Sequence, residues 1–471
     1  MKKILTALCI CLAVQTLSAQ KTTLTGLILH PAGDVVTISW EPQAGWIEEE
    51  PVVYQAEVGS DGKFRIEFEL DRPREVILVH GRERTTMYLY PREQVSMKVD
   101  TEQFDETLEY KGAARSASAS NLMAQMFLFE EQQPDSRALV ALIRKAEPQT
   151  VIDSLVRWRD RAVNHAEGLA RKLSTSDDGA QRLVQNAHYQ FASRMLEYPM
   201  FYRYFRPEDT DGPALPEGYY DFLKKYPVQQ ESALDLVSYR DYVLTYLDYK
   251  YSQANEDADM TTFKRAVITQ ELKGRVRQLV EARLLSAALD GNLTKEVENW
   301  MAEFASNGDN AAMARSLSAK LALARRLAPG QPAPVISMQR RDGTSVTWAD
   351  LAGKVVYLDF WASWCGPCRQ EMPYSHALIE RMGEENVAFV YLSIDQDTKA
   401  WRKGLKDLGL EEAGVQLWTP EIEETGTAFA FDGIPTYYIL DTKGNIFMRN
   451  APRPSDPEAE VQIRAALEMN R

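Results

Sequence analysis

The first hundred residues that follow an apolar leader alternate between apolar and polar side chains. The runs are 24–29 (LTGLIL), 35–40 (VVTISW), 52–58 (VVYQAEV), 64–70 (FRIEFEL), 76–79 (VILV), 87–90 (MYLY) and 95–99 (VSMKV). A strand sends successive side chains to opposite faces, so this period of two predicts short, half-buried strands. Gly59-Ser60-Asp61-Gly62 has the residues of a hairpin turn. Strands at this spacing predict a small β-sandwich-like domain over 20–112. The next stretch, 112–120, is small and polar and reads as a linker. From 121 to 327 the apolar spacing becomes that of helices, with runs starting at Thr150 and near Ser176, Glu231, Thr261, Thr294 and Asn310. An all-α middle region over 113–328 follows. Within it Tyr239, Tyr242, Tyr246 and Tyr249 share one helical face, read either as packing or as a partner groove. His165 and His188 stand alone and are read as structural. Residues 329–334 (PGQPAP) form a stiff, extended linker. An α/β unit over 329–471 completes a multidomain chain.

The leader changes where this chain is expected to work. Lys2 and Lys3 precede an apolar stretch over 4–17, and Leu17-Ser18-Ala19 offers small residues for cleavage before Gln20. This is the pattern of a secretory signal peptide over 1–19. The stretch falls short of the ~20 residues of a membrane span. Bulky Leu8 and Ile10 precede Cys9 and Cys11, so lipoprotein anchoring is not expected. An exported, periplasmic protein is the reading. A length of 471 residues fits several domains. The net charge of -14 argues against nucleic acid or an anionic membrane as partner.

Cleavage would leave two of the four cysteines, Cys365 and Cys368, in the run Trp361-Ala362-Ser363-Trp364-Cys365-Gly366-Pro367-Cys368. An apolar, β-rich run precedes them and a helical pattern follows. The pair therefore belongs where a buried strand gives way to a helix. A helix N-terminus has unpaired N–H groups and partial positive charge, which favour a thiolate. Pro367 suits a first helical turn because it has no N–H to leave unpaired. Cys365 is expected to be the exposed nucleophile, and Cys368, one turn on, the buried resolving thiol. A zinc site lacks ligands: there is no second cysteine pair, and His376 is two turns away. An inert structural disulfide would close so small a loop that it would constrain the unfolded chain little. No metal and no cofactor is expected.

From Gly330 onward the chain resembles the thioredoxin fold, and within it the exported TlpA/ResA-like thiol–disulfide oxidoreductases. The resemblance rests on Gly330-Gln331-Pro332-Ala333-Pro334, Asp342-Gly343, Leu351-Ala352-Gly353-Lys354, the redox loop 360–368, Glu371-Met372-Pro373 and Gly433-Ile434-Pro435-Thr436. It implies a kinked helix at Pro373, a cis bond between Ile434 and Pro435, and a backbone beside Pro435 that pairs with an extended client strand. It also implies a buried acid at Asp359 that relays protons to and from Cys368. Some relatives place the acid on a later strand, where this chain has Asp395 and Asp397, and a share for them is left open. Trp364 is expected beside the outer sulfur and Trp361 in the packing. The N-terminal β-region resembles, more loosely, the β-rich domain that often precedes such domains.

The expected function is reduction of disulfides in client proteins, with electrons from a membrane thiol donor. The Gly366-Pro367 dipeptide is that of reducing thioredoxins. A disulfide oxidant or isomerase, or a non-catalytic scaffold with a thioredoxin-like docking domain, are the other readings. A peroxiredoxin would need a threonine-bearing motif that is absent here.

Overall fold

A computed structural model of the chain describes residues 21–41, 46–47, 51–112, 114–173, 177–254, 259–383, 385–431 and 433–469. The proposed signal peptide, 1–19, lies outside the described residues. The chain divides into two compact units, Met1–Val280 and Glu281–Arg471.

The first unit begins with β1 (Thr22–Leu29), β2 (Val35–Trp40), β3 (Val52–Glu57), β4 (Lys63–Phe68), β5 (Arg74–His80), β6 (Glu83–Leu89) and β7 (Gln94–Asp100). A one-turn helix, α1 (Phe104–Thr107), leads to β8 (Glu109–Gly112). Two four-stranded sheets result, in the orders β4-β1-β7-β8 and β3-β2-β5-β6. Alternation turns Leu24, Ile66 and Met97 of one sheet and Ile38, Leu78 and Met87 of the other into a shared apolar core. The turn at 59–62 is tight, with Gly62 N–H donating to the Gly59 carbonyl at 2.8 Å. It does not close a hairpin. β3 and β4 pair in different sheets, so the turn carries the chain from one to the other. Gly62 has φ +74, and a Cβ there would lie 2.2 Å from the Ile28 carbonyl oxygen.

The helices of this unit are α2 (Ala114–Glu131), α3 (Ser136–Lys145), α4 (Pro148–Leu173), α5 (Asp177–Phe205), the short α6 (Phe222–Lys225), α7 (Val237–Ser252) and α8 (Met260–Glu271). The stretch read as a linker is the start of α2. Its small side chains let the helix approach both sheet edges. Tyr88 N–H of edge strand β6 donates to Ser120 Oγ at 3.2 Å, and Tyr90 N–H, just past that strand, donates to Ser116 Oγ at 2.9 Å. Asn121 exchanges two hydrogen bonds with the Tyr110 backbone of edge strand β8. The α7 tyrosines are packing residues. Tyr239 and Tyr242 are buried and donate to the Val228 and Tyr226 carbonyls, while Tyr246 donates to Glu271. His165 stacks on Phe129, and His188 lies against Tyr226.

Helix α9 (Gly274–Asp290) crosses from the first unit into the second, which continues with α10 (Lys295–Ser306) and α11 (Ala311–Arg326). Then follow β9 (Met338–Gln339), β10 (Ser345–Val346), β11 (Val355–Trp361), α12 (Gly366–Met382), β12 (Val387–Ser393), α13 (Thr398–Asp407), β13 (Val415–Trp418), α14 (Ile422–Phe429), β14 (Thr436–Leu440), β15 (Ile446–Arg449) and α15 (Glu458–Glu468). The seven strands form one sheet, β10-β9-β13-β12-β11-β14-β15, with β11, β12 and β13 parallel. Strand β11 is buried along its whole length. Its Tyr357 and Trp361 face one core with Cys368 and Leu378, while Val356, Leu358 and Phe360 face the other. Residues 329–334 are not a free linker. Gly330 and Ala333 donate to the Ile446 and Gly444 carbonyls, and Ile446 donates back to Gln331, so the segment covers edge strand β15. This compact unit starts well before 329. The turn after α9 is held by Arg449, whose N–H donates to Asn292 Oδ1 at 3.0 Å and whose guanidinium donates to the Leu289 carbonyl. Among the described residues no helix is long and apolar enough to cross a membrane.

Candidate active site

Strand β11 and helix α12 meet at the redox loop, so a central strand and a helix N-terminus position the two cysteines. Cys365 and Cys368 are joined in a disulfide. Cys365 is the N-cap of α12, and its Sγ accepts the Cys368 N–H at 3.1 Å. That sulfur therefore sits on an N–H that the helix leaves unpaired. Pro367 occupies the first turn, and α12 runs on through Pro373.

The bond between Ile434 and Pro435 is cis. The Ile434 carbonyl lies 3.6 Å from Cys365 Sγ. With no S–H in the oxidised pair this is a contact; the reduced thiol has a hydrogen to donate there. Ile434 and Pro435 are half-buried, and Trp364 is 66% exposed beside the outer cysteine. Trp361 is fully buried. Cys365 differs from its expected exposure: it retains only 4%. Its side chain folds inward to cap the helix and bond Cys368, with the Ile434 carbonyl alongside. Cys368 has no exposure at all.

Behind the cysteines lie two carboxyl groups. Asp359 is 2% exposed, and neither of its oxygens has a hydrogen-bond partner among the described residues. Its position in β11 puts it on the same face as Tyr357 and Trp361, the face that carries α12. Its cross-strand neighbours are Tyr391 and Tyr437, and Tyr391 is tied to Ser375 of α12 at 2.6 Å. Burial pushes the Asp359 carboxyl well above the usual range, and the nearby Glu371 carboxylate adds to that. Glu371 is itself buried, and Ser455 donates to both of its oxygens through N–H and hydroxyl, at 3.0 and 2.9 Å. It follows Cys368 by one helical turn. In the sequence Glu371 stands out only as part of the Glu371-Met372-Pro373 motif, with no chemistry attached to it. Its spacing from Cys368, i to i+3 on the same helix, was the available signal.

The two later aspartates have other tasks. Asp395 is fully buried and accepts the Ser363 N–H, the Ser363 hydroxyl at 2.6 Å and the Ser393 hydroxyl. It pins the backbone two residues before Cys365. Asp397 caps α13 through Lys399 and Ala400, and those hydrogen bonds hold its carboxyl below the usual range.

The loop is also set by close packing. A Cβ on Gly404 of α13 would lie 2.6 Å from Ser363 Cβ and 3.5 Å from the Trp361 ring. Ser363 cannot retreat without breaking its bonds to Asp395. Gly404→Ala is therefore expected to cost about 1–3 kcal/mol in urea unfolding and to slow disulfide exchange. Wild-type stability and rate in that variant would show that the loop has slack.

The family described as Redoxin matches residues 328–464. Thiol-disulfide oxidoreductase ResA of Bacillus cereus is 30% identical over 118 residues, 25% of this chain and 66% of that relative. ResA of Oceanobacillus iheyensis is 46% identical over 107 residues, 22% of this chain and 53% of the relative. Thioredoxin-like protein YneN of Bacillus subtilis is 34% identical over 121 residues, 25% of this chain and 68% of the relative. The chain thus spans just under two thirds of the Bacillus cereus ResA. The solved thioredoxin domain of a thiol-disulfide oxidoreductase from Bacteroides vulgatus is 23% identical, covers 30% of this chain and 99% of its own, and has a TM-score of 0.28.

Proposed function

Through its C-terminal third this chain belongs to the thioredoxin-like thiol–disulfide oxidoreductases of the Redoxin family, and from that premise we propose that it reduces disulfides in client proteins outside the cytoplasm. The observation that carries this reading is the disulfide at the N-terminus of α12, its outer sulfur 3.6 Å from the Ile434 carbonyl.

The chemistry is a pair of exchanges. In the reduced protein the Cys365 thiolate attacks a client disulfide. One client sulfur leaves as a thiolate, and the other is held in a mixed disulfide with Cys365. Cys368 then gives up its proton and attacks Cys365 Sγ, so the second client thiolate leaves. The client gains two electrons, and the protein is left with the Cys365–Cys368 disulfide. A membrane thiol donor restores the dithiol by the same exchange in reverse. Asp359, with Glu371 beside it, is the proton acceptor for Cys368: a carboxyl whose affinity for protons is raised by burial can exchange them nearer neutral pH. The exposed Trp364 and the backbone at Ile434 and Pro435 form the client-facing surface. Asp395 acts through position, by fixing Ser363. Export rests on the leader pattern of 1–19.

A Cys368→Ser variant tests this order of events. It is expected to retain the first attack and to accumulate a mixed disulfide with client protein, seen as a dithiothreitol-sensitive band on a non-reducing gel. Accumulation through Cys368 in a Cys365→Ser variant, and none through Cys365, would reverse the two roles.

A further inference from the structure

The outer edge of β6, in the first unit, is only partly covered. β5 and β6 join through a two-residue turn at 81–82, with His80 paired to Glu83 across it. Hydrogen-bonded pairs alternate along an antiparallel ladder. Glu83, Thr85, Met87 and Leu89 therefore direct their backbone groups to β5, and Arg84, Thr86 and Tyr88 direct theirs outward. Ser120 of α2 takes those of Tyr88, both N–H and carbonyl at 3.2 Å, and Ser116 takes the Tyr90 N–H. One helical turn on, the next residue of α2 in register is Ala124, which has no polar side-chain atom. Among the described residues nothing bonds the outward N–H and carbonyl groups of Thr86 and Arg84.

A cleft of about 430 Å³ opens at this point, with Thr86 and Arg84 on one side and Met123, Phe127, Leu183 and Val237 among its apolar walls. Phe127 is 47% and Val237 45% exposed. The charges in the cleft are unevenly matched. Arg182 is satisfied by Glu75 at 2.6 Å and by the Asp235 carbonyl, and it lies over the Tyr88 ring. Asp105 and Glu130 also line the cleft; Asp105 has no partner among the described residues, and at Glu130 the attraction of Arg194 is outweighed by burial. Burial raises both, and Glu131, Glu106 and Glu83 add repulsion at Asp105. Among the described residues of the lining, Arg84 at the strand edge is the one other basic side chain. The surroundings favour an added positive charge next to an apolar group.

We propose that this cleft binds an extended peptide segment of a partner protein, carrying a lysine or arginine beside apolar residues, which adds as a short strand to β6 at 84–86. Backbone pairing with Thr86 and Arg84 supplies the main-chain hydrogen bonds. An apolar side chain enters between Met123 and Phe127, and the basic one reaches Asp105 and Glu130. The site is independent of the dithiol.

The test uses the full-length protein and a fluorescein-labelled acetylated Val-Lys-Val-Lys-Val amide, read by fluorescence anisotropy. The same peptide with every amide N-methylated is expected to bind at least about tenfold more weakly, because it cannot donate to the strand edge. A norleucine-for-lysine peptide is expected to bind about fivefold more weakly, and Glu130→Gln to narrow that difference. Absence of binding by the unmethylated peptide up to about 1 mM overturns the proposal. So does equal binding of the methylated peptide. If octylamine displaces the probe while methylation has no effect, the cleft is a pocket for small amines and not a strand-addition site.

Discussion

Cys365→Ser is expected to remove insulin-disulfide reduction almost completely, by about a thousandfold or more, while leaving the fold intact. The nucleophile in exchange is a thiolate, and a serine hydroxyl does not ionise near neutral pH even at a helix N-terminus. The side chain would still cap α12, since serine is a strong N-cap, so urea unfolding of the reduced proteins should nearly coincide. That separation makes the test sharp: activity goes while the helix stays. Cys365 keeps only 4% exposure in the oxidised form. Once the bond to Cys368 is broken, attack on a client requires the sulfur to meet an incoming chain at the Ile434 carbonyl. Retention of more than about a tenth of the wild-type rate would place the reactive thiol elsewhere.

What the sequence made legible, and what it hid, follows from the range of the interactions. The redox loop was readable because its signal is local: a strand, two cysteines at fixed spacing and a proline in a first helical turn. The seven alternating runs lie on strands for the same reason. Pairing is not local. The Gly59–Gly62 turn has hairpin chemistry, yet its flanking strands belong to different sheets, which no window of ten residues reports. The stretch 112–120 reads as a linker because its side chains are small and polar. Here their small size lets α2 lie against two sheet edges, with Ser116 and Ser120 replacing strand partners. The proline-rich run 329–334 likewise finds its hydrogen bonds on β15, more than a hundred residues along. Glu371 was in plain view within a motif. Its chemistry became apparent only once Asp359 was found buried beside it, a pairing set by tertiary packing.

Asp359→Asn is expected to change stability and turnover in opposite directions. In the folded protein the Asp359 carboxyl is buried, has no hydrogen-bond partner among the described residues, and is raised above its unfolded value. A group raised in this way binds its proton more tightly in the native state. Its contribution to stability is thus fully present below the unfolded value and is lost as pH rises through the folded one. Wild-type protein should become less stable across that window, since ionisation leaves an unpaired charge next to Glu371. Asparagine carries no such charge and is close in shape. The variant should therefore be the more stable protein at about pH 9, by about 1–3 kcal/mol, with the difference shrinking towards about pH 4. Turnover should fall, because Cys368 would lose its proton acceptor: the first attack by Cys365 continues, release of the reduced client slows, and the mixed disulfide accumulates. Urea unfolding across this pH range and quenched exchange reactions measure the two effects. A variant with wild-type release kinetics and a parallel stability profile would show that Asp359 remains protonated throughout and takes no part in the exchange.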